Sequence, residues 1–217
     1  MDDVLADQVG YYRRRASEYD VTAYGDVAAA RERIARLVAQ MRPSGRVLEI
    51  ACGTGLWTEA LVAAADTVVA IDAAPEAVAI ARDRVRSGNV IFEVADVFSW
   101  TTDDRFDVIF FSAWLSHVPM TRFEQFWRMT RRLLAEDGRV LFIDEHADIC
   151  EKETYVAGAD EIVERRLRDG GKFRIVKNFV DPEALQDRLR DMGWDCQIRR
   201  DGGDWIRGEA RPAQYPG

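Results

Sequence analysis

Cysteine is scarce in this chain. Its 217 residues hold three (Cys52, Cys150 and Cys196), with no CxxC pair and no Cys/His cluster. Neither a disulfide framework nor a structural zinc site is expected from so few and so scattered thiols, and no metal site is assigned. Histidine is scarcer still, at two residues. Long apolar runs are missing as well. Stretches such as VIFF, starting at Val108, are far too short to cross a bilayer. The opening MDDVLADQVGYYRRR turns from acidic to basic with no apolar centre, unlike a secretory signal. Nor is there an excess of positive charge: 30 Lys and Arg against 38 Asp and Glu leave a net −8. That balance disfavours phosphate polymers and acidic membrane surfaces. The short clusters YYRRR and RMTRR sit among acids and read as solvated helix faces. Neither nucleic acid nor membrane is expected as a partner, the expected location is cytoplasmic, and nothing in the chain reports its oligomeric state.

What is present is the composition of a globular enzyme, 47% hydrophobic and 31% charged, long enough to bury one sizeable core. Ile34, Leu37, Val38 and Met41 share one helical face, and Pro43-Ser44-Gly45 ends that helix. Val47–Ile50 then reads as a strand, Cys52–Gly55 as a turn, and Trp57, Leu61 and Ala64 as a helix. Thr67–Ile71 is a second strand, and Pro75 opens a helix to about Ser87. Val90–Val94 and Asp107–Phe111 are further strands. Phe123, Phe126, Trp127 and Thr130 mark a helix expected to stop at Gly138, before a fifth strand at Val140–Asp144. Alternation at these lengths predicts an α/β fold: a Rossmann-like, doubly wound sheet with helices on both faces. After Asp144 the rhythm changes. ERRLRDGGKFRIVKNF is a hairpin insertion that either completes the sheet edge or folds over the strand ends. A helix over Pro182–Met192 follows, then late strands at Cys196–Arg199 and Trp205–Glu209, one of them antiparallel in a mostly parallel sheet.

The stretch VLEIACGTGLWTEAL joins a buried strand to a helix through a run of small residues, so a ligand can approach bare backbone there. A dinucleotide site wants a third glycine where Thr58 stands, and Glu49 would repel a diphosphate. A carboxylate beneath the turn suits a cationic ligand better. VLEIACGTG resembles the first motif of the class I S-adenosylmethionine-dependent methyltransferases, with Glu49, Gly53 and Gly55 matching and Ala51 in place of the usual first glycine. Asp72 resembles the family's ribose-binding acid, Asp96-Val97 the pair that reads adenine, and FDVIFFSAWLSHVP the segment lining the cofactor cleft. YYRRRASEYD is similar to an N-terminal helix whose tyrosines fold over the cofactor. The resemblance implies S-adenosylmethionine as cofactor, bound by Tyr11, Glu49, Ala51, Gly53, Gly55, Trp57, Asp72, Ala73, Asp96, Val97 and Ser112. It also implies one methyltransferase domain, with a helical cap over 1–45, a cofactor-binding core over 46–145, and a hairpin, helix and closing strands over 146–217. Taken singly, these residues have plainer roles: Glu49 as a paired buried acid, Asp72 as a helix cap, Asp96 as a turn former, Trp57 and Tyr11 as core.

The activity implied is methyl transfer to a small-molecule acceptor by in-line displacement without metal. O-methylation of a small metabolite, aromatic ones included, is the leading expectation; N- and C-methylation, or a cofactor-binding protein without turnover, are the alternatives. His117 and His146 follow strands that point at the cleft and are the candidate general bases, with Glu145 and the Tyr11 hydroxyl in reserve. Tyr11, Tyr12, Trp114 and Phe179 are candidate walls of an apolar acceptor pocket, with core packing as the alternative.

Overall fold

The computed structural model describes residues 1–179 and 181–214; the last residues of the 146–217 region lie outside them. The chain opens with α1 (Asp2–Arg15), a single 3-10 turn, α2 (Tyr19–Tyr24) and α3 (Val27–Met41). Acids begin α1 and arginines end it, which complements the helix dipole. Asp26 caps α3 by accepting from the amides of Ala28 and Ala29 at 3.0 Å each. Next come β1 (Arg46–Ile50), α4 (Leu56–Leu61), β2 (Thr67–Asp72), α5 (Pro75–Arg84), β3 (Val90–Val94) and β4 (Phe106–Ser112). The second half holds α6 (Phe123–Leu133), β5 (Leu134–Glu145), β6 (Ile162–Arg166), β7 (Lys172–Val176), α7 (Pro182–Asp191), β8 (Trp194–Arg200) and β9 (Trp205–Pro212).

The main sheet has the order β3-β2-β1-β4-β5-β9-β8, and the only antiparallel strand in it is β9. Strand order reverses between β1 and β4, where open α/β sheets place their ligands. Alternating side chains divide the core. Leu48, Ile50, Phe111 and Phe142 face α6 and α7, while Val47, Val108, Leu141 and Ile143 face α3 and α4. The first side is strongly aromatic: Phe111 stacks on Phe142 at 5.4 Å, and Trp127 meets both edge-on. Each such ring buried contributes roughly 1.5–3 kcal/mol.

Three expectations change. Helix α6 ends at Leu133 rather than Gly138, because Leu134 already pairs with Phe106 and the strand runs on through a register shift. Gly138 lies inside β5, where an added Cβ would come within 2.8 Å of the Phe106 carbonyl oxygen. Helix α5 stops at Arg84, short of Ser87. The hairpin β6–β7 does not complete the main sheet; it is a separate two-stranded sheet packed on α1 through Tyr11, Val163, Leu167 and Ile175. Among the described residues no helix is long and apolar enough to cross a membrane.

Candidate active site at the carboxyl ends of the strands

A cavity with an empty volume of about 1060 Å³ opens over the ends of β1, β2 and β4. Its floor is Ile50, Ala51, Gly53 and Thr54. Asp72 and Ala73, then Asp96 and Val97, then Ser112, Ala113 and Trp114 form the walls. The N-terminal helices roof it with Leu5, Gln8, Val9, Tyr12, Ala16 and Tyr19, and His117 and Arg122 complete the rim.

The turn after β1 is shaped by left-handed backbone. Gly53 has φ +54 and an added Cβ would meet nothing within 4 Å, so its open side faces free space. Gly55 has φ +82 for a different reason: a Cβ there would come within 2.9 Å of the Ala81 Cβ, so this glycine lets α5 approach. Ala51 adopts φ 56 without being glycine, a sparsely populated conformation. Asp72 stitches the turn to β2. One carboxylate oxygen accepts from the Gly53 amide at 2.9 Å and the other from the Ala74 amide at 2.8 Å. Burial raises its pKa while those two amides oppose the rise. Asp96 accepts from the Phe98 amide at 3.0 Å through one oxygen.

Under the roof, the Tyr12 hydroxyl lies 2.9 Å from His117 Nε2, and His117 Nδ1 lies 2.7 Å from the Val176 carbonyl oxygen. A carbonyl can only accept, so Nδ1 carries the proton and Nε2 accepts from the phenol. Burial lowers the His117 pKa well below its ordinary value, and Lys177, Arg165 and Arg15 lower it further. Gln8 fixes this corner from the roof: its Nε2 donates to the His117 carbonyl at 3.3 Å and its Oε1 accepts from the Val176 amide at 2.9 Å. Behind it, the buried Lys177 donates to Ser116 Oγ at 3.0 Å and pairs with Glu145. The indole N–H of Trp114 is buried with no acceptor among the described residues.

Of the sequence-predicted residues, Ala51, Gly53, Asp72, Ala73, Asp96, Val97, Ser112 and His117 meet at this cavity, and five do not. Glu49 turns beneath α4, where Thr58 Oγ1 donates to it at 2.6 Å, and burial pushes its pKa up to about 8. A single-residue strand alternation is the reason: Ile50 faces the cavity, so Glu49 faces away. Gly55 packs on α5. Trp57 stacks near Phe110 at 5.3 Å and donates to the Tyr24 hydroxyl at 3.2 Å, a core position. Tyr11 is in the cluster between α1 and the hairpin, and its neighbour Tyr12 takes the place at the wall. His146 is buried away from the cavity, its ring engaged by Arg200 Nε at 3.0 Å and the Asp148 amide at 3.0 Å. Sequence reasoning missed Gln8 and Arg122, which no motif marks; Tyr19 belongs to YYRRRASEYD, whose tyrosines are expected over the cofactor, and it joins the roof.

Residues 47–138 match the family described as a methyltransferase domain. The fold of DhpI, solved in complex with SAH, is 36% identical, with a TM-score of 0.87 over 99% of this chain and 100% of that one. The ubiquinone biosynthesis O-methyltransferase of Xanthomonas axonopodis pv. citri (strain 306) is 31% identical over 166 residues, spanning 74% of this chain and 67% of the relative. Nodulation protein S of Sinorhizobium fredii (strain NBRC 101917 / NGR234) is 25% identical over 167 residues, 76% of this chain and 73% of that one. The chain belongs to the S-adenosylmethionine-dependent methyltransferases. It is an enzyme of that class, and S-adenosylmethionine is its cofactor.

Proposed function

We propose that this enzyme methylates an oxygen atom of a small acceptor that enters beside Tyr12 and His117. The observation carrying the reading is the Tyr12–His117 pair itself, 2.9 Å apart at the cavity wall. It offers a phenol oxygen with lone pairs free for an acceptor hydroxyl, and the glutamates whose cationic partners, Lys177 and Arg165, act on this pair are themselves engaged. Glu145 is taken by Lys177 and Glu153 by Arg165, so a protonated amine would find no counter-charge there. The O-methyltransferase relative at 31% identity supports the same atom. Aromatic acceptors suit the apolar surfaces of Trp114 and Tyr19.

The cavity wall fits the cofactor by its donor set. Carboxylates at successive strand ends meet a ligand whose ribose hydroxyls and adenine amino group are donors, and the bare backbone at Gly53 leaves room for close approach. In this reading Asp72 accepts the ribose hydroxyls, Asp96 reads the amino group, Val97 flanks the ring, and Ala51, Gly53, Ala73 and Ser112 line the bed. The bound cofactor supplies an electrophilic methyl group. Tyr12 orients the acceptor oxygen, and His117, kept neutral by burial and by nearby cations, holds the Tyr12 hydroxyl in one direction. The roof helices exclude water. Glu49 supports the turn from below. The chain is read as one domain, with the cap, core and hairpin regions sharing this site.

Labelled-cofactor turnover against matched hydroxyl, carboxyl and amine acceptors tests the reading. Transfer to oxygen acceptors, abolished by Asp72→Ala, is expected. Turnover confined to amines would overturn the choice of atom.

A further inference from the structure

The glycine turn is gripped from outside by two residues, Arg84 and Asp20, to which no part in binding the cofactor has been assigned. Arg84, the last residue of α5, donates through Nη1 to the Thr54 carbonyl at 2.7 Å and to Thr54 Oγ1 at 3.1 Å. Its other terminal nitrogen pairs with Asp20 of α2. Asp20 closes the triangle by accepting from Thr54 Oγ1 at 2.5 Å. Arg84 and Asp20 are only 14% and 15% exposed, which removes most of the solvent screening that makes surface pairs weak. Thr54 itself is buried and belongs to the cavity floor.

This triangle ties together two parts of the molecule, which also meet along the roof and through the Arg13–Glu76 pair. Asp20 belongs to the N-terminal segment whose Tyr12, Ala16 and Tyr19 cover the cavity, whereas Thr54 stands between the two left-handed glycines. Turn backbone in sparsely populated conformations keeps one geometry only if its surroundings over-determine it. The three bonds to the Thr54 hydroxyl and carbonyl supply that restraint, and one of them, to Asp20, comes from the N-terminal segment. We propose that Asp20 and Arg84 are positioning residues for the cofactor bed: roof closure and the geometry of the glycine turn form one equilibrium, coupled through Thr54. Lifting the roof separates Asp20 from Thr54 and Arg84, and loosens the bed at the moment the ligand leaves.

The inference rests on the reading of this cavity as the cofactor site, and the test separates the two. SAH affinity is measured by titration calorimetry and its release by stopped-flow tryptophan fluorescence, on the full chain, for Asp20→Asn, Arg84→Met, Arg84→Lys, Thr54→Val and Asp72→Ala. Asp20→Asn and Arg84→Met are expected to weaken SAH by about tenfold and speed its release. Arg84→Lys recovers part of the loss, since an ammonium reaches the Thr54 carbonyl but cannot fork to Asp20. At saturating cofactor kcat stays within about twofold of wild type, a split that general loss of structure does not produce. Should either variant fail to fold, Thr54→Val, which deletes only the hydroxyl, decides the matter by the same readouts. SAH affinity and release unchanged in Asp20→Asn and Thr54→Val, with Asp72→Ala impaired, would overturn the clamp and leave the site standing. If Asp72→Ala also binds SAH normally, the cofactor site itself is misplaced.

Discussion

Tyr12 of the first helix and His117 of the loop after β4, 105 positions apart in sequence, share a 2.9 Å hydrogen bond at the wall of the cavity. The Val176 carbonyl fixes the tautomer, so the imidazole accepts and the phenol donates. With both ring nitrogens engaged, the role proposed for His117 toward the acceptor runs through Tyr12.

Tyr12→Phe should lower kcat by about tenfold to a hundredfold while SAH affinity stays within about threefold, because it removes the oxygen but keeps the ring. His117→Gln, which retains an acceptor, should keep more activity than His117→Ala. Steady-state kinetics with separately determined SAH affinity checks both.

The pH profile offers an independent check. His117 sits well below its ordinary pKa through burial, with Lys177 next in effect. It therefore stays neutral as pH falls through 6.5, and kcat should show no limb there. A limb near 6.5 that vanishes in His117→Gln would contradict this arrangement.

Glu49 has a pKa raised by burial from 4.5 to about 8. A carboxyl with a raised folded-state pKa favours the folded state while protonated. That contribution is complete below 4.5 and is lost as pH rises to about 8, on the order of 5 kcal/mol across the window. Glu49→Gln, which cannot ionise, should therefore resist alkaline unfolding better than wild type: its melting temperature should exceed that of wild type at pH 8–9, with the difference shrinking toward pH 5. Thermal melts of the cofactor-free protein across pH measure this.

The two glycines of the turn should fail differently. Gly55→Ala places a Cβ 2.9 Å from Ala81 and should cost about 1–3 kcal/mol of stability. Gly53→Ala meets no neighbour within 4 Å, so its cost is backbone strain of about 1 kcal/mol, with loss of SAH affinity as the larger effect. Denaturant unfolding and calorimetry separate the two.

Ala51 has φ 56 where a glycine would be unstrained. Ala51→Gly relieves about 1–2 kcal/mol of strain against about 0.5–1 kcal/mol of added chain entropy, so a small rise in melting temperature is expected. Ala51→Val should destabilise, since a branched residue tolerates that conformation poorly. Differential scanning calorimetry on the pair is sufficient.

Much of the fold was legible. Strands over Val90–Val94 and near Val47–Ile50 were marked by short apolar-rich runs, and the hairpin by Asp-Gly-Gly between two strand-like runs. The cavity residues that could be read were those at strand ends: Asp72, Asp96 and Ser112 stand where a strand stops, and a sheet of known order brings those ends together. Gly138 misled because glycine signals a stop, although here it serves a close approach inside a strand.

The sequence by itself determined the alternation of strands and helices and the glycine turn at the first strand's end, and hence the class of fold, because these depend on local periodicity and on residues within one turn. The cofactor followed from the resemblance of the strand-end motifs to a known family. Which of Tyr11 and Tyr12 reaches the cavity, whether Glu49 faces it or the underside of α4, and that Asp20 and Arg84 meet at Thr54 were decided only by tertiary packing. Adjacent residues on an element point in different directions, and only the finished sheet with its roof decides which direction holds the ligand.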